Sequence, residues 1–364
     1  MAGKIVLFGA TGYTGELTAR AMVRAGLAPV LAGRTAARVS ALAAELGGLE
    51  HATADVADPA GLASLLGKGD VLVTTVGPFA RMGEAALQAA ISRGAHYVDS
   101  TGEPQWIRRV FEADAEISAA GTCALTAFGY DYVPGNLAAG LALERATDEA
   151  TRVDVGYFFK GGFGASGGTK SSLVGALLAP GFRFRSGSIE TVRGGVGERR
   201  FRTLAGERVG LAIGASEHFA IPRVAPGIDT VGAYLGWFGP RTAPVRVGSA
   251  LIGAVTAVPG TRRALTSLLQ KAVRGSTGGP TDAERARSRS IAVAEALASD
   301  GRVVGRAELE GPNGYDLTAS TLTWAASRLA TGRPGRTGAL GPIEPFGLEA
   351  LRSGCAEAGL AEIG

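Results

Sequence analysis

The sequence predicts an α/β fold in which a doubly wound parallel sheet is followed by a second, α+β domain. Three observations carry this. Residues 4–8, Lys-Ile-Val-Leu-Phe, are a short apolar, β-branched run that enters a glycine-rich turn and then an alanine-rich helical stretch at 16–24. The same strand–turn–helix alternation repeats as far as residue 128. From about residue 152 the texture changes to the alternation of half-buried strands, at 152–159 and 303–309. A length of 364 residues also suits two domains better than one.

The first turn reads Gly9-Ala10-Thr11-Gly12-Tyr13-Thr14-Gly15. Gly9 permits a tight turn, Gly12 lets a pyrophosphate approach the backbone, and Gly15 lets the helix pack closely on the strand. Phosphates would lie at the helix N-terminus, facing unpaired N–H groups of the Thr11–Thr14 stretch. Strand, glycine turn and helix in this order make the sheet Rossmann-type. The spacing G-x-x-G-x-x-G favours NADP(H). The second strand, 28–32, ends in Gly33-Arg34-Thr35, where an arginine in place of an acid suits a 2′-phosphate, and Arg38 is placed to help. A third strand at 51–54 delivers Asp55 and Val56 to the adenine, although Asp55 equally suits capping of the helix that starts at Pro59. The fourth strand, 71–76, is continuously apolar and runs through Val76 into Gly77-Pro78-Phe79, under the cofactor ribose. A helix at 84–93, a fifth strand at 95–98, a helix at 106–119 and a sixth strand at 122–128 complete the sheet. Ligands bind at the carboxyl ends of such strands, so residues 77–81, 99–103 and 129–136 should converge there.

Beyond it, strands at 152–159, 188–192, 198–204 and 303–309 suggest a mostly antiparallel sheet with helices on one face. Thr281-Asp282-Ala283-Glu284 reads as the start of a helix running to residue 298. Helices at 317–329 and 346–358, around a Gly/Pro loop at 331–345, should return to the nucleotide domain. The expected division is 1–135 with 315–364 as the NADP-binding domain, and 136–314 as the second, α+β substrate domain. A formal net charge of +4 is mild and dispersed and argues against a nucleic-acid partner. The basic run 199–202 reads as the exposed face of a strand. Two cysteines, Cys123 and Cys355, form neither metal spacing nor a disulfide framework, which fits a cytoplasmic protein with no metal. The N-terminus enters a strand at once, so no signal peptide is expected. The apolar stretch 247–258 falls short of the roughly 20 residues needed to cross a bilayer. It reads as a buried helix or as a surface for peripheral lipid contact, without an integral membrane segment.

With these segments placed, the chain resembles the saccharopine dehydrogenase-like NADP-dependent oxidoreductases. The resemblance rests on Val76-Gly77-Pro78-Phe79 with Gly83, on Gly94-Ala95-His96-Tyr97-Val98-Asp99 with Gly102-Glu103, and on Gly129-Tyr130-Asp131-Tyr132-Val133-Pro134-Gly135-Asn136. Ser166-Gly167-Gly168-Thr169 with Ser172, and Gly314-Tyr315-Asp316-Leu317-Thr318, are similar to segments of the branch that includes the trans-acting enoyl reductases. The resemblance implies an NADP-binding domain, a second domain used in forming a homodimer, and hydride transfer to a C=N or C=C bond of a small or lipid-like metabolite.

Such chemistry often needs a proton donor. Tyr130, Asp131 and Tyr97 stand at sheet carboxyl ends, with Asp99 and Glu103 in the same cleft. Asp131 suits equally a structural role, accepting backbone N–H bonds near Gly135, and Asp99 or Glu103 could cap the helix near Pro104. Lys170 could meet an anionic substrate or simply be solvated; His218 reads as structural. No Tyr-x-x-x-Lys pair exists, which argues against a short-chain dehydrogenase. The leading expectation is an NADPH-dependent reductase. The alternative is a non-catalytic NADP-binding sensor or scaffold.

Overall fold

A computed structural model describes residues 2–146, 148–161, 164, 166, 181–192, 197–237, 278–332 and 334–363. The first half alternates strand and helix throughout. β1 (Ile5–Phe8), α1 (Tyr13–Arg24), β2 (Val30–Gly33), α2 (Ala36–Glu45), β3 (His51–Thr53), α3 (Pro59–Ser64), β4 (Val71–Thr74), α4 (Phe79–Arg93) and β5 (His96–Asp99) lead to α5 (Pro104–Glu112), α6 (Asp114–Ala119), β6 (Cys123–Leu125) and α7 (Val133–Ala146). β1, β2, β4, β5 and β6 are buried along their whole length, as apolar strands covered on both faces must be. The expected single helix at 106–119 is two. α5 closes at Ala113, whose N–H turns back to the Val110 carbonyl, and α6 starts at once.

The second half holds β7 (Arg152–Lys160), β8 (Gly181–Arg185), β9 (Ser188–Val192), β10 (Glu198–Thr203), β11 (Gly206–Ala212), α8 (Glu217–Val224), β12 (Thr230–Leu235), α9 (Asp282–Arg287), β13 (Arg289–Leu297) and β14 (Val303–Gly311). α10 (Gly314–Thr331), β15 (Gly338–Ala339), α11 (Leu348–Glu357) and β16 (Ala361–Glu362) close the chain. The described strands form two sheets. One is seven-stranded and wholly parallel, in the order β15-β6-β5-β4-β1-β2-β3. The order reverses between β1 and β4, the switch point where a Rossmann sheet binds its ligand. The other is a nine-stranded mixed sheet in which β12 and β7 are the one parallel pair among the described strands.

One segment corrects the sequence expectation outright. Residues 281–298 are not a continuous helix: α9 ends at Arg287, and Arg289–Leu297 is a central strand, β13, antiparallel to both β7 and β14. The alanines of Ile-Ala-Val-Ala-Glu-Ala-Leu favour a helix in isolation, but two complete ladders and burial on both faces outweigh that propensity. Ala292, Ala294 and Ala296 join the main core, on the side of α7, where Gly305 of β14 also lies so close that a Cβ would sit 2.0 Å from the Ala142 carbonyl oxygen. Ile291 and Val293 face the other way, into a small cluster with Phe158 and Phe201. That far face is covered by the β10–β11 hairpin. Leu204 N–H donates to both Glu308 oxygens at 3.0 and 3.1 Å, and Arg199 bridges Asp154 and Glu295. Of the basic run 199–202, Arg199 therefore faces inward while Arg200 stays exposed.

α10 crosses back to the parallel sheet, beside α1 and over β1, β4 and β5, and Gly3 N–H donates to the Ala330 carbonyl. β15, within the expected 331–345 loop, adds a seventh parallel strand beside β6.

Candidate active site

The site grows from the β1–α1 turn. Gly9 has φ +89°, a conformation that glycine adopts freely, and Gly12 is the N-cap of α1 without any side-chain cap. As the first helical residues, Tyr13, Thr14 and Gly15 carry N–H groups with no intrahelical acceptor. The two later glycines differ in kind. A Cβ on Gly15 would lie 2.0 Å from the Gly9 carbonyl oxygen, whereas on Gly12 the nearest atom is that same oxygen at 3.3 Å. Gly15 is needed for packing, and Gly12 keeps open the space in front of the helix.

Around this turn, Thr75 Oγ1 donates to the Gly9 carbonyl at 3.2 Å and Arg38 Nη2 to the Thr11 carbonyl at 2.9 Å. Arg34 and Thr35 follow β2, both exposed. Asp55 accepts from Ala57 N–H at 2.9 Å, closing its own turn, and Asp58 rather than Asp55 caps α3. Val76, Gly77 and Pro78 lie at the β4 carboxyl end, and Phe79, buried, opens α4. Tyr13 turns its side chain away from the helix end. Its hydroxyl donates to the Pro280 carbonyl and accepts from Arg285 Nη1 at 3.0 Å, its ring meets Tyr315 edge-on at 5.0 Å, and Arg285 Nε donates to Asp316 at 2.8 Å. A segment more than 260 residues downstream thus clasps the nucleotide turn.

The next two strand ends are tied together. Asp99 is fully buried and accepts from Tyr97 Oη, Trp106 Nε1, Thr126 Oγ1 and the N–H groups of Thr101 and Ala127, all at 2.8–2.9 Å. Burial raises this carboxyl, and the Ala127 and Thr101 N–H bonds hold it back. Burial also pushes the Tyr97 phenol well above its usual value. Glu103 N-caps α5 by position, yet its carboxylate accepts from Phe79 N–H at 2.8 Å and Ala80 N–H at 3.0 Å, at the start of α4.

The third strand end meets the second sheet. Tyr130 is buried, donates through its hydroxyl to the Phe158 carbonyl at 3.2 Å and packs against Phe159, Tyr157 and Trp237. Burial drives its phenol far up, making proton release costly. Asp131 is different. Its Oδ1 is enclosed and has no hydrogen-bond partner among the described residues, and Oδ2 lies over Gly102, where a Cβ would come within 2.8 Å. Burial alone lifts this carboxyl to about 7. Behind it, Tyr157 Oη contacts Glu217 Oε1 and reaches the Tyr132 carbonyl at 3.2 Å, while Asn136 Nδ2 joins that carbonyl at 2.9 Å to Ser216 Oγ at 3.0 Å.

His218 is buried against the Ala215 backbone, and burial lowers its imidazole to about 4, a neutral structural histidine. Cys123 and Cys355 are buried thiols. Lys170, Gly167, Gly168, Thr169, Ser172 and the stretch 247–258 lie outside the described residues; Ser166 is described, its N–H donating to Tyr315 Oη at 2.7 Å. The sequence reading passed over Glu217, Tyr157 and Arg285. For Glu217 a signal existed: a lone acid in the otherwise neutral stretch Ala215-Ser216-Glu217-His218-Phe219-Ala220-Ile221. Among the described residues no group of three His, Cys, Asp or Glu could hold a metal, and no helix is long and apolar enough to cross a membrane.

A parallel sheet whose strand order reverses between β1 and β4, with an open glycine turn at a helix N-terminus beside that switch point, defines a dinucleotide-binding protein. Residues 5–125 match the family model of the saccharopine dehydrogenase NADP binding domain, and this domain binds NADP(H). The chain is saccharopine dehydrogenase-like in sequence over this domain, and its fold is similar as well. The Saccharomyces cerevisiae saccharopine dehydrogenase (L-Glu forming) superposes with a TM-score of 0.59 at 16% identity, covering 99% of each chain. Among curated proteins, a Mycobacterium tuberculosis protein named for trans-acting enoyl reduction is 38% identical over 185 residues, 48% of this chain and 44% of that relative. The trans-acting enoyl reductase of Mycobacterium leprae is 34% identical over 154 residues, 40% of this chain and 37% of its own. The aligned parts thus cover less than half the length of these relatives.

Proposed function

We propose that the chain is an NADPH-dependent reductase with Asp131 as its proton donor. The bound nicotinamide would supply the hydride. The observation that carries the reading is the enclosed Oδ1 of Asp131, without a partner among the described residues, at the carboxyl edge of the parallel sheet, near Gly102. A carboxyl raised by burial is still protonated near neutrality, the state a general acid needs. Tyr130, sequestered among aromatic rings, holds the segment in place, and Tyr97 and Asp99 act as internal struts. Gly9, Gly12 and the first-turn N–H groups of α1, including those of Tyr13, Thr14 and Gly15, would hold the pyrophosphate. Thr11 lies beside them; Val76, Gly77, Pro78 and Phe79 would line the ribose, and Asp55 and Val56 the adenine.

The acceptor is a C=N or C=C bond of a small or lipid-like metabolite. The names of the curated relatives favour C=C. Incubation with NADPH and a panel of cyclic imines and 2-enoyl thioesters, followed at the cofactor's absorbance, tests this. Oxidation with an enoyl thioester alone supports C=C reduction. Tight NADPH binding with no turnover of any acceptor would point to the sensor or scaffold instead.

Arg34, exposed at the end of β2, is free to reach a 2′-phosphate. A charge-assisted bond of this kind contributes about 1.5–3 kcal/mol, so NADPH should bind at least about tenfold more tightly than NADH. Arg34→Asp should erase or reverse that preference; equal affinities of the wild type by calorimetry would contradict it. The protein should also be a two-fold homodimer, with the axis through the mixed sheet. Light scattering that gives the mass of a single 364-residue chain at micromolar concentration would refute this.

A further inference from the structure

Glu217 opens α8 and is fully buried, with no ion pair to lysine, arginine or histidine among the described residues. The polar and titratable groups around it come from three elements. Tyr157 points from β7, Tyr132 and Asp131 lie ahead of α7, and Ser216 and His218 flank it in sequence, the His218 ring being occupied by the Ala215 backbone. Gly135 is pressed against the same group: a Cβ there would lie 1.9 Å from Tyr157 Oη and 2.5 Å from Glu217 Oε1.

Proton counting decides the state of this cluster. Tyr157 has one hydroxyl proton and two oxygens within reach, Glu217 Oε1 and the Tyr132 carbonyl, which can only accept. Both contacts are made together when Glu217 is protonated and donates to Tyr157 Oη, which in turn donates to Tyr132. A second route runs from the same carbonyl through Asn136 Nδ2 to Ser216 Oγ, whose hydroxyl leans on Glu217 Oε2 at 3.5 Å. The Tyr132 carbonyl, in the peptide that follows Asp131–Tyr132, is therefore tied twice to Glu217. Burial above all, opposed by the Tyr157 hydrogen bond and aided to a smaller extent by negative charge on Asp131, raises the Glu217 carboxyl to about 8.

We propose that Asp131 and Glu217 form one buried two-proton site, in which Glu217 is a positioning residue that acts on the reacting centre through Tyr157 and the carbonyl of Tyr132, the residue next to Asp131. This rests on Asp131 as the proton donor. In turnover the hydride goes to one atom of the double bond, and the Asp131 O–H bond breaks as a bond to hydrogen forms at the other, C–H for a C=C acceptor or N–H for a C=N acceptor; the carboxylate left behind regains its proton from water. Meanwhile its charge tightens the hold of Glu217 on the other proton, so near neutrality the cluster carries one negative charge and not two.

The test is carboxyl NMR of the full chain labelled with ¹³C at Glu Cδ and Asp Cγ, titrated with pH. One glutamate should titrate near 8, far above the rest, and vanish in Glu217→Gln. Asp131→Asn should lower that midpoint by about one unit, and Glu217→Gln should lower the Asp131 midpoint in return. NADPH fluorescence titration checks that each variant still binds cofactor. A wild-type chain with no glutamate titrating above neutrality overturns the proposal without any variant, as does a Glu217 midpoint that Asp131→Asn leaves in place. The NMR result does not depend on turnover. Intact coupling together with full turnover of a 2-enoyl thioester by Asp131→Asn would refute the donor assignment and leave the paired site standing.

Discussion

Asp131→Asn is expected to lower kcat about a hundredfold on whichever imine or enoyl thioester the wild type reduces, within the range of about 10²–10⁴ typical for loss of a general acid. Affinity for NADPH should be unchanged, since Asp131 lies at the β6 end and the phosphate turn at the β1 end. A loss confined to the chemical step appears equally in kcat and kcat/KM. Tyr130→Phe should be far milder, because the Tyr130 hydroxyl is already committed to the Phe158 carbonyl. The acid form of Asp131 is the working form, so kcat should be flat below about 7 and fall about tenfold per pH unit above it. Stability has the same sense. The folded state binds this proton more tightly than the unfolded chain, so the contribution is complete at low pH and is lost as pH rises towards about 7. Full turnover by Asp131→Asn across this range would mean that the proton comes from water or from the substrate.

Gly12→Val is expected to weaken NADPH binding at least about a hundredfold, about 3 kcal/mol, while the protein remains folded. Its Cβ would meet only the Gly9 carbonyl oxygen, at 3.3 Å, so the new side chain has room in the apo protein and occupies the phosphate space instead. Gly15→Ala should do the opposite. A Cβ 2.0 Å from the Gly9 carbonyl oxygen and 2.9 Å from Thr75 Oγ1 forces the turn apart, and the loss should appear first in the melting temperature. Calorimetry and thermal melts on the two variants separate these effects. Normal NADPH binding by Gly12→Val would place the phosphates elsewhere.

How legible each part was in the sequence follows from how locally it is encoded. The glycine turn and the buried strands of the parallel sheet were readable because their spacing and apolar runs carry the signal within a few residues. β13 was not, because its alanines speak for a helix and its ladder partner β7 lies far upstream. β15 is Gly338–Ala339, too short for any periodicity. In the site, Asp131 stood out through its motif. Asp99 gave no hint that Thr126 and Ala127, beyond the next helices, would fill its lone pairs. Glu217 takes its meaning from Tyr157, 60 positions earlier, and Arg285 from Tyr13, 272 positions away. Pairings of that range come from topology and not from local pattern.

The return of α10 to the parallel sheet bears on how the chain is born. A ribosome releases β1 to β6 first, but the helix that lies beside α1 over β1, β4 and β5 follows at Gly314–Thr331, and the edge partner of β6 later still. Until then the nascent Rossmann sheet has one face incompletely covered and an open edge at β6, the kind of exposed surface that invites misassociation. Eight of the nine strands of the mixed sheet, β7 to β14, are made in the interval. Completion of the parallel sheet therefore waits until residues 314–339 have been made, and a ribosome stalled before Gly314 would leave a nucleotide-binding sheet that chaperones have reason to hold.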